Sequence, residues 1–444
     1  MQERLVIIGG VAAGMSAAAK ARRTNPDMVI EVYTDDQFIS YAGCGLPYFI
    51  GNKIDSQDML LARTVEQFST QDIKVNTQVK VTNINKESKT ITIQNLSGAE
   101  VQTIAYDKLV IATGARAVIP PWEGVNLNGI FSLRTIHDSL KIRKYLVDHE
   151  PKKAVIIGGG YIGLEMVENL LEYNCDITLI EQNVHIIPNM DKDMAQIVTD
   201  YLVSKGVTVR AGESVTGFSG HEQVQEVITD QGTIEADLVL LSIGVRPNSE
   251  LAKEAGLELG VKGAIRVNDR METSFPDIYA AGDCATTFHL ISAQEVYIPM
   301  GTTANKQGKT AGENVAGGNA VFNGVLGTGI ARIVDLEISR TGLTERECQA
   351  LGIEYISQTI KSKTAAHYCT VAGEVWVKLI IDKRSRRILG CQIIGYSGAA
   401  KRIDVLATAI TTRASVEDLI DMDLAYSPPF SPVWDPVLVA LNQF

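Results

Sequence analysis

Two glycine turns, each led by an apolar strand and followed by helix-forming sequence, constrain this chain more than any other feature. The first is Val6-Ile7-Ile8-Gly9-Gly10-Val11-Ala12-Ala13-Gly14; the second is Val155-Ile156-Ile157-Gly158-Gly159-Gly160-Tyr161-Ile162-Gly163. Glycines so placed permit a tight turn, let the backbone approach a pyrophosphate, and let helix and strand pack closely, while the helix N-terminus faces the phosphates. Two copies predict two nucleotide-binding units of one construction, a duplication at domain scale without a short-period repeat.

The second copy is the more complete. Gly158 serves the turn, Gly160 the close approach and Gly163 the helix–strand contact, with Tyr161 and Ile162 opening the helix. Glu181 ends the next strand, where an acid binds the adenosine ribose hydroxyls and repels a 2′-phosphate, so NADH is expected over NADPH. The plain alternative is a glycine turn with no ligand. In the first copy Val11 takes the middle glycine position, so Gly9, Val11 and Gly14 form the triplet, with Ala12 and Ala13 inside it. Its second strand ends without an acid: Thr34 stands at the expected end and Asp35 and Asp36 follow, leaving the ribose role open between them. Further on, Tyr279-Ala280-Ala281-Gly282-Asp283 presents a carboxylate at a strand end beside a helix start. Asp283 is either a helix cap or, with two nucleotide motifs upstream, a partner of a flavin's ribityl hydroxyls.

The surrounding segments predict an α/β architecture. Strand 4–9, helix 13–24 and strand Val29–Thr34 form an opening βαβ unit, and Lys74–Val81 with Thr90–Gln94 read as an antiparallel excursion. Strand Lys108–Ala112 runs into Thr113-Gly114 and strand Leu238–Ser242 into Gly244, which adds Thr113, Gly114 and Gly244 to the cofactor-contact candidates. The second unit repeats as strand 153–157, helix 161–173 and strand 176–181, and a further helix is expected near 303–316. From about residue 326 the texture turns β-rich (329–340, 354–360, 374–382, 387–396), with a helical stretch at 398–413 and an aromatic, proline-stiffened tail from Tyr426 to Pro436. The expected partition is a first nucleotide domain over 1–120 and 246–325, a second over 121–245, and a C-terminal α+β domain over 326–444.

Composition removes several function classes. The 444 residues are 45% hydrophobic and 21% charged, as in ordinary globular chains. No apolar run reaches the roughly 18 residues of a membrane span. A strand begins almost at the N-terminus, so no targeting segment is expected and the location is read as cytoplasmic. A net charge of −11 argues against general nucleic-acid binding, and any anionic substrate needs a local basic patch. Lys20 and Arg23, which share a helix face, offer one, unless they are simply a solvated surface.

The six cysteines form no CxxC and no Cys/His cluster, so neither a disulfide framework nor a metal site is expected. Cys175, Cys284, Cys348, Cys369 and Cys391 read as small apolar fillers. Cys44 differs. It lies in Ser40-Tyr41-Ala42-Gly43-Cys44-Gly45-Leu46-Pro47-Tyr48, an irregular backbone with a helix start close by, a setting expected to lower a thiol pKa. With no cysteine partner nearby in sequence, a reactive Cys44 must cycle through a mixed disulfide, a persulfide or a sulfenic acid. Tyr426, and more weakly Tyr368, could protonate a leaving thiolate. Two nucleotide sites and one thiol suggest electrons passing from one cofactor to another and on to sulfur.

With these motifs the chain resembles the pyridine nucleotide–disulfide oxidoreductases, and within them the coenzyme A-disulfide reductase branch. The segments that carry the resemblance run the full length: the first glycine turn, Ser40–Tyr48, Ala112-Thr113-Gly114-Ala115-Arg116, Gly158–Gly163, Ala280-Ala281-Gly282-Asp283, Lys401-Arg402-Ile403-Asp404-Val405 and Leu424-Ala425-Tyr426-Ser427-Pro428-Pro429. The cysteine and Ala-Tyr-Ser-Pro-Pro segments are the branch-specific ones. The resemblance implies FAD in the first domain, NADH in the second, Cys44 as redox centre, and a homodimer built through the C-terminal domain in which Tyr426 reaches the partner's site. It also implies coenzyme A contacts at Ser16, Lys20, Arg23, Ser40 and Gly43, with Trp434 a further candidate. The chain departs from the branch in three ways. Gly43 replaces an asparagine common before the cysteine, Tyr368-Cys369 replaces a tyrosine pair, and no rhodanese-like domain is expected after residue 444. The histidine that the peroxidase branch carries in the first turn is absent from Val11-Ala12-Ala13, which disfavours peroxide reduction. The implied reaction is NADH-dependent reduction of coenzyme A disulfide. The alternatives are an NADH oxidase that reduces O2, a polysulfide or persulfide reductase, and a flavin-based redox sensor.

Overall fold

The computed structural model describes residues 2–98 and 100–444. Two parallel five-stranded sheets dominate the first two-thirds. The first runs in the order Ile278–Ala280, Lys108–Ile111, Arg4–Ile8, Val29–Tyr33, Ile73–Asn76. The second runs Ile130–Ser132, Leu238–Leu241, Lys153–Ile157, Asp176–Glu181, Thr208–Ala211. In each the central strand precedes a glycine turn, and its run of Val and Ile is buried on both faces, as a parallel sheet covered by helices requires. Each sheet also sends out a three-stranded antiparallel meander, Val79–Asn85 to Val101–Ala105 in one and Val215–Gly220 to Gly232–Glu235 in the other. The duplication therefore extends beyond the glycine turns to the whole unit.

Residues 74–81 are not one antiparallel strand as expected. Ile73–Asn76 completes the parallel sheet beside Val29–Tyr33, and the antiparallel excursion begins only at Val79. A reversal with Gln78 at positive φ separates the two, and short alternating patterns do not register such a break. Likewise 329–340 folds as a hairpin of Gly329–Ile333 and Leu336–Gly342 around Val334 at positive φ.

Ala115–Ala117 and Val245–Pro247 pair antiparallel where the chain crosses between the two units. The helix Ala12–Thr24 packs along Gly301–Val315, its alanine face against Gly308 and Gly312, which lets the two N-termini approach the same sheet edge. The C-terminal sheet is antiparallel, in the order Gly329–Ile333, Leu336–Gly342, Ile388–Gly395, Glu374–Asp382, Tyr355–Lys363. One face carries the helix Ile403–Thr411; Asp191 and Asp193 of the second unit meet Thr359, Lys378 and Gln392 of this sheet. Among the described residues no helix is long and apolar enough to cross a membrane.

Candidate functional site

Gly9 and Gly158 open the two turns at φ +113° and +107°, a region that side chains rarely adopt. A Cβ on Gly14 would lie 1.9 Å from the Gly9 carbonyl oxygen, and one on Gly163 would lie 2.2 Å from that of Gly158, so both glycines secure close helix–strand packing. Gly160 differs, since a Cβ there would meet nothing within 4 Å. This is space in front of a helix whose first N–H groups have no side-chain cap. The helices starting at Ala12, Tyr161 and Gly301 all lack such a cap, whereas those starting at Val65, Ile136 and Glu345 carry full capping boxes. The uncapped starts at Ala12 and Tyr161 follow the two glycine turns directly, and their free N–H groups fit the holding of a pyrophosphate.

Register identifies the strand-end residues. Gly158 N–H donates to the Ile180 carbonyl at 2.8 Å as Gly9 N–H does to that of Tyr33 at 2.8 Å, so Thr34 is the counterpart of Glu181. Asp35 lies one residue further, exposed. Glu181 is buried; its Oε2 accepts from Gly159 N–H at 2.9 Å and its Oε1 from Asn183 N–H at 2.8 Å. It thus fixes the shape of the turn. At the neighbouring strand ends Gly114 and Gly244 occupy equivalent places, both at positive φ. Thr113 Oγ1 donates to the Asn248 carbonyl at 2.6 Å, which ties the first sheet's edge to the interdomain crossing.

Cys44 is exposed and sits in a 3₁₀ turn, Gly43–Gly45, that leads into the short helix Leu46–Ile50. Ser40, at φ +49°, donates its N–H to the Gly10 carbonyl at 2.8 Å and so pins the cysteine segment to the first glycine turn. The expected lowering of the thiol pKa does not occur. Although Cys44 opens to solvent on one side, surrounding protein desolvates the thiol and pushes its pKa up; Glu165 and then Asp283 add to this, and Arg134 opposes it. A five-residue helix supplies too little dipole to overcome that.

The groups around Cys44 therefore come from both nucleotide units, and sequence reasoning missed two of them. Arg134 bonds Asp283 at 2.6 Å and the Ala115 carbonyl at 3.0 Å, so Asp283 is ion-paired and is not a simple helix cap. Glu165, one turn into the second unit's helix, is pushed up to about 7 by burial and then by Glu168. Glu168 is itself gripped by Lys53, by Arg332 at 3.6 Å and by Val334 N–H at 2.9 Å, which locks the segment after Cys44 to the C-terminal sheet. The available signal was acids spaced three apart, Glu165 and Glu168, on a largely apolar helix.

The remaining candidates divide in two. Ser16 Oγ donates to Asn305 Oδ1 at 2.8 Å and Lys20 pairs with Glu313 at 2.8 Å, both across the helix pair at the first turn; Arg23 is exposed. Tyr368, Tyr426 and Trp434, at 66%, 48% and 60% exposure, form a separate face on the C-terminal domain. Ala366 N–H donates to the Pro428 carbonyl at 2.9 Å, and Arg402 braces Thr364, Phe430 and Asp435. The hydrogen bond to Tyr426 raises the Tyr368 pKa. Cys175, Cys284, Cys348 and Cys391 are buried as fillers should be; Cys369, beside Tyr368, is only half-buried and is not core. Among the described residues no His/Cys/Asp/Glu group could hold a metal ion.

Residues 3–308 match the pyridine nucleotide-disulphide oxidoreductase family and residues 330–436 match its dimerisation domain. The chain belongs to this family, whose enzymes use FAD and NAD(P)H. It is 38% identical over 99% of its length to the NAD(P)H coenzyme A polysulfide/persulfide reductase of Pyrococcus horikoshii, covering 98% of that protein. It matches the NADH oxidase of Methanocaldococcus jannaschii at 38%, covering 99% and 98% of the two chains, and the coenzyme A disulfide reductase of Staphylococcus haemolyticus at 32%, covering 96% of each. The crystal structure of reduced CoADR-RHD from Bacillus anthracis superposes with a TM-score of 0.97 at 37% identity, over 100% of this chain and 80% of that one.

Proposed function

We propose that the protein reduces coenzyme A disulfide with electrons from NADH, and that Cys44 is its redox thiol. The carrying observation is that one exposed cysteine is pinned to the first glycine turn by Ser40 while its electrostatic surroundings include Glu165 of the second unit. NADH is held at Gly158–Gly163 with Glu181 at the ribose, and FAD at Gly9–Gly14 with Thr34, Thr113, Gly114 and the Asp283–Arg134 pair around it. Bound FAD supplies two-electron transfer between nicotinamide and sulfur.

The chain's own contribution is sulfur chemistry. The Cys44 thiolate attacks one sulfur of the disulfide, forms a Cys44–S–S bond and expels one coenzyme A thiolate. Two electrons from NADH then cleave the mixed disulfide to the Cys44 thiolate and a second coenzyme A thiolate. Tyr426, reaching across a homodimer formed by residues 330–436, donates a proton to a departing thiolate; Tyr368, whose proton is held more tightly, supports it by hydrogen bonding. Ser16, Lys20, Arg23, Ser40 and Gly43 line the approach, and Trp434 stands on the partner's face. Because Glu181 is a carboxylate, NADH is preferred to NADPH.

A persulfide acceptor is the second reading. It is favoured by the 38% identity to a polysulfide/persulfide reductase, against 32% to a disulfide reductase. NADH consumption with coenzyme A disulfide, coenzyme A persulfide and O2 in turn tests both. Turnover with the disulfide at least about tenfold above that with O2 is expected. Equal rates with O2 alone overturn the proposal, and a persulfide rate well above the disulfide rate selects the second reading.

A further inference from the structure

The aspartate at the start of the helix Lys192–Ser204 does not cap it. Asp191 stands at the N-cap, yet no side-chain cap bond forms, and the carboxylate is buried at 6% exposure. Instead it crosses into the C-terminal sheet. Asp191 Oδ2 lies 3.3 Å from Lys378 Nζ and accepts from Gln392 Nε2 at 2.6 Å; Oδ1 accepts from Glu345 N–H at 3.0 Å. The backbone N–H of Asp191 donates to Gln392 Oε1 at 2.8 Å. Thr359, Lys378 and Gln392 are direct partners across three adjacent strands, so they form one row facing the second nucleotide unit. Lys378, 3% exposed, also binds Asp193 at 2.8 Å and Glu345 at 3.1 Å, while Thr359 Oγ1 donates to Asp193 at 3.1 Å.

The other end of the same loop shapes the second glycine turn. Asn183 N–H donates to Glu181, whose other oxygen accepts from Gly159 N–H. Ile187 returns to donate its N–H to the Gly159 carbonyl at 2.9 Å, and Met190 N–H bonds back to the Ile187 carbonyl at 2.9 Å. Ile187 is fully buried and sits at φ +51°, which a β-branched residue adopts only when its surroundings hold it there. Arg346 Nη2 donates to the Pro188 carbonyl at 2.9 Å, a second tie from the C-terminal domain.

We propose that Lys378 is a positioning residue for pyridine-nucleotide binding: by gripping Asp191 it holds residues 182–191 in the strained path that sets the Gly159–Glu181 geometry. The proposal rests on the reading that this turn holds the nicotinamide cofactor. Without the ammonium, a buried carboxylate loses its only close cation among the described residues and must move toward water, carrying the loop with it. Glu345 and Asp193, more exposed, can be solvated in place.

The test is rapid reduction of the flavin in the FAD-loaded protein by NADH, with Lys378→Met beside the wild type. The apparent NADH dissociation constant is expected to rise about tenfold, with the limiting reduction rate and the Cys44 alkylation rate each within about twofold of wild type. Lys378→Met/Asp191→Asn, which removes both charges and lets the amide oxygen accept from Gln392 Nε2 while Glu345 N–H loses its acceptor, is expected to bring the dissociation constant back to within about threefold of wild type. Should the single variant not fold, Gln392→Leu carries the same measurement, with a rise of about threefold expected. Unchanged NADH affinity in a folded variant overturns the proposal. So does an equal fall in affinity, limiting rate and thiol reactivity, because that marks general loosening. A wild-type protein whose flavin shows no saturable reduction by NADH overturns the nucleotide reading itself.

Discussion

The two glycine turns share a backbone and differ in what their returning loops carry. In each, a residue at positive φ comes back to donate its N–H to the carbonyl of the turn's second glycine: Ser40 to Gly10 at 2.8 Å, Ile187 to Gly159 at 2.9 Å. From Ser40 the chain goes on to Cys44; from Ile187 it goes on to Asp191 and the Lys378 row. The strand ends differ too, Thr34 against Glu181. The repeated part is what any pyrophosphate requires. The parts that diverged set the two turns apart, placing a thiol beside one and, beside the other, a buried carboxylate, Glu181, on a loop that Asp191 anchors to the C-terminal sheet.

Removing the thiol breaks the asymmetry most completely. Cys44→Ser should lower disulfide turnover by about a thousandfold or more while leaving flavin reduction by NADH intact, as single-turnover absorbance would show. Next come the glycines. Gly163→Ala drives a Cβ to 2.2 Å from the Gly158 carbonyl, and Gly14→Ala does the same at 1.9 Å from Gly9; each should cost about 1–3 kcal/mol of stability in denaturant titrations. Gly160→Ala meets nothing within 4 Å, so its stability should stay within about 0.5 kcal/mol. Its NADH affinity should nevertheless fall several-fold, and unchanged affinity would remove the phosphate role from that position.

Importing the first copy's residue into the second sharpens the comparison further. Glu181→Thr unpairs Gly159 N–H and Asn183 N–H, at a cost of about 1–3 kcal/mol, and removes the repulsion of a 2′-phosphate. The ratio of kcat/KM for NADH to that for NADPH should fall about tenfold. A wild type that already prefers NADPH contradicts the assignment.

Much of this was legible in the sequence because glycine turns, strand ends and periodic helices are local. The turns, Glu181 at its strand end and the Gly-Asp at 282–283 fall where their spacing puts them. Other features depend on distant chain. Thr34, rather than Asp35, could not be matched to Glu181 until the Gly9–Tyr33 and Gly158–Ile180 bonds fixed the register. Arg134 meets Asp283 across 149 residues of chain, and nothing in Ser132-Leu133-Arg134-Thr135 announces it. The Cys44 thiol was misjudged for a related reason. A nearby helix start is visible in sequence, whereas the desolvation of the folded site and the Glu165 charge, which comes from the other unit, are not.

Glu165 yields the smallest effect and tests whether the two units interact at the thiol. Its carboxyl is raised in the fold from 4.5 to about 7, so the stability it contributes is full below about 4.5 and is lost as pH rises through about 7. Glu165→Gln removes that loss. Relative to wild type the variant should gain about 1–3 kcal/mol between pH 5 and pH 8, read as a melting-temperature difference that grows with pH. The same substitution removes a negative charge that raises the Cys44 pKa, so alkylation of Cys44 at pH 8 should quicken by about two- to threefold. A gain in stability with no change in thiol reactivity would mean that Glu165 is too well screened from Cys44 for the second unit to tune the first.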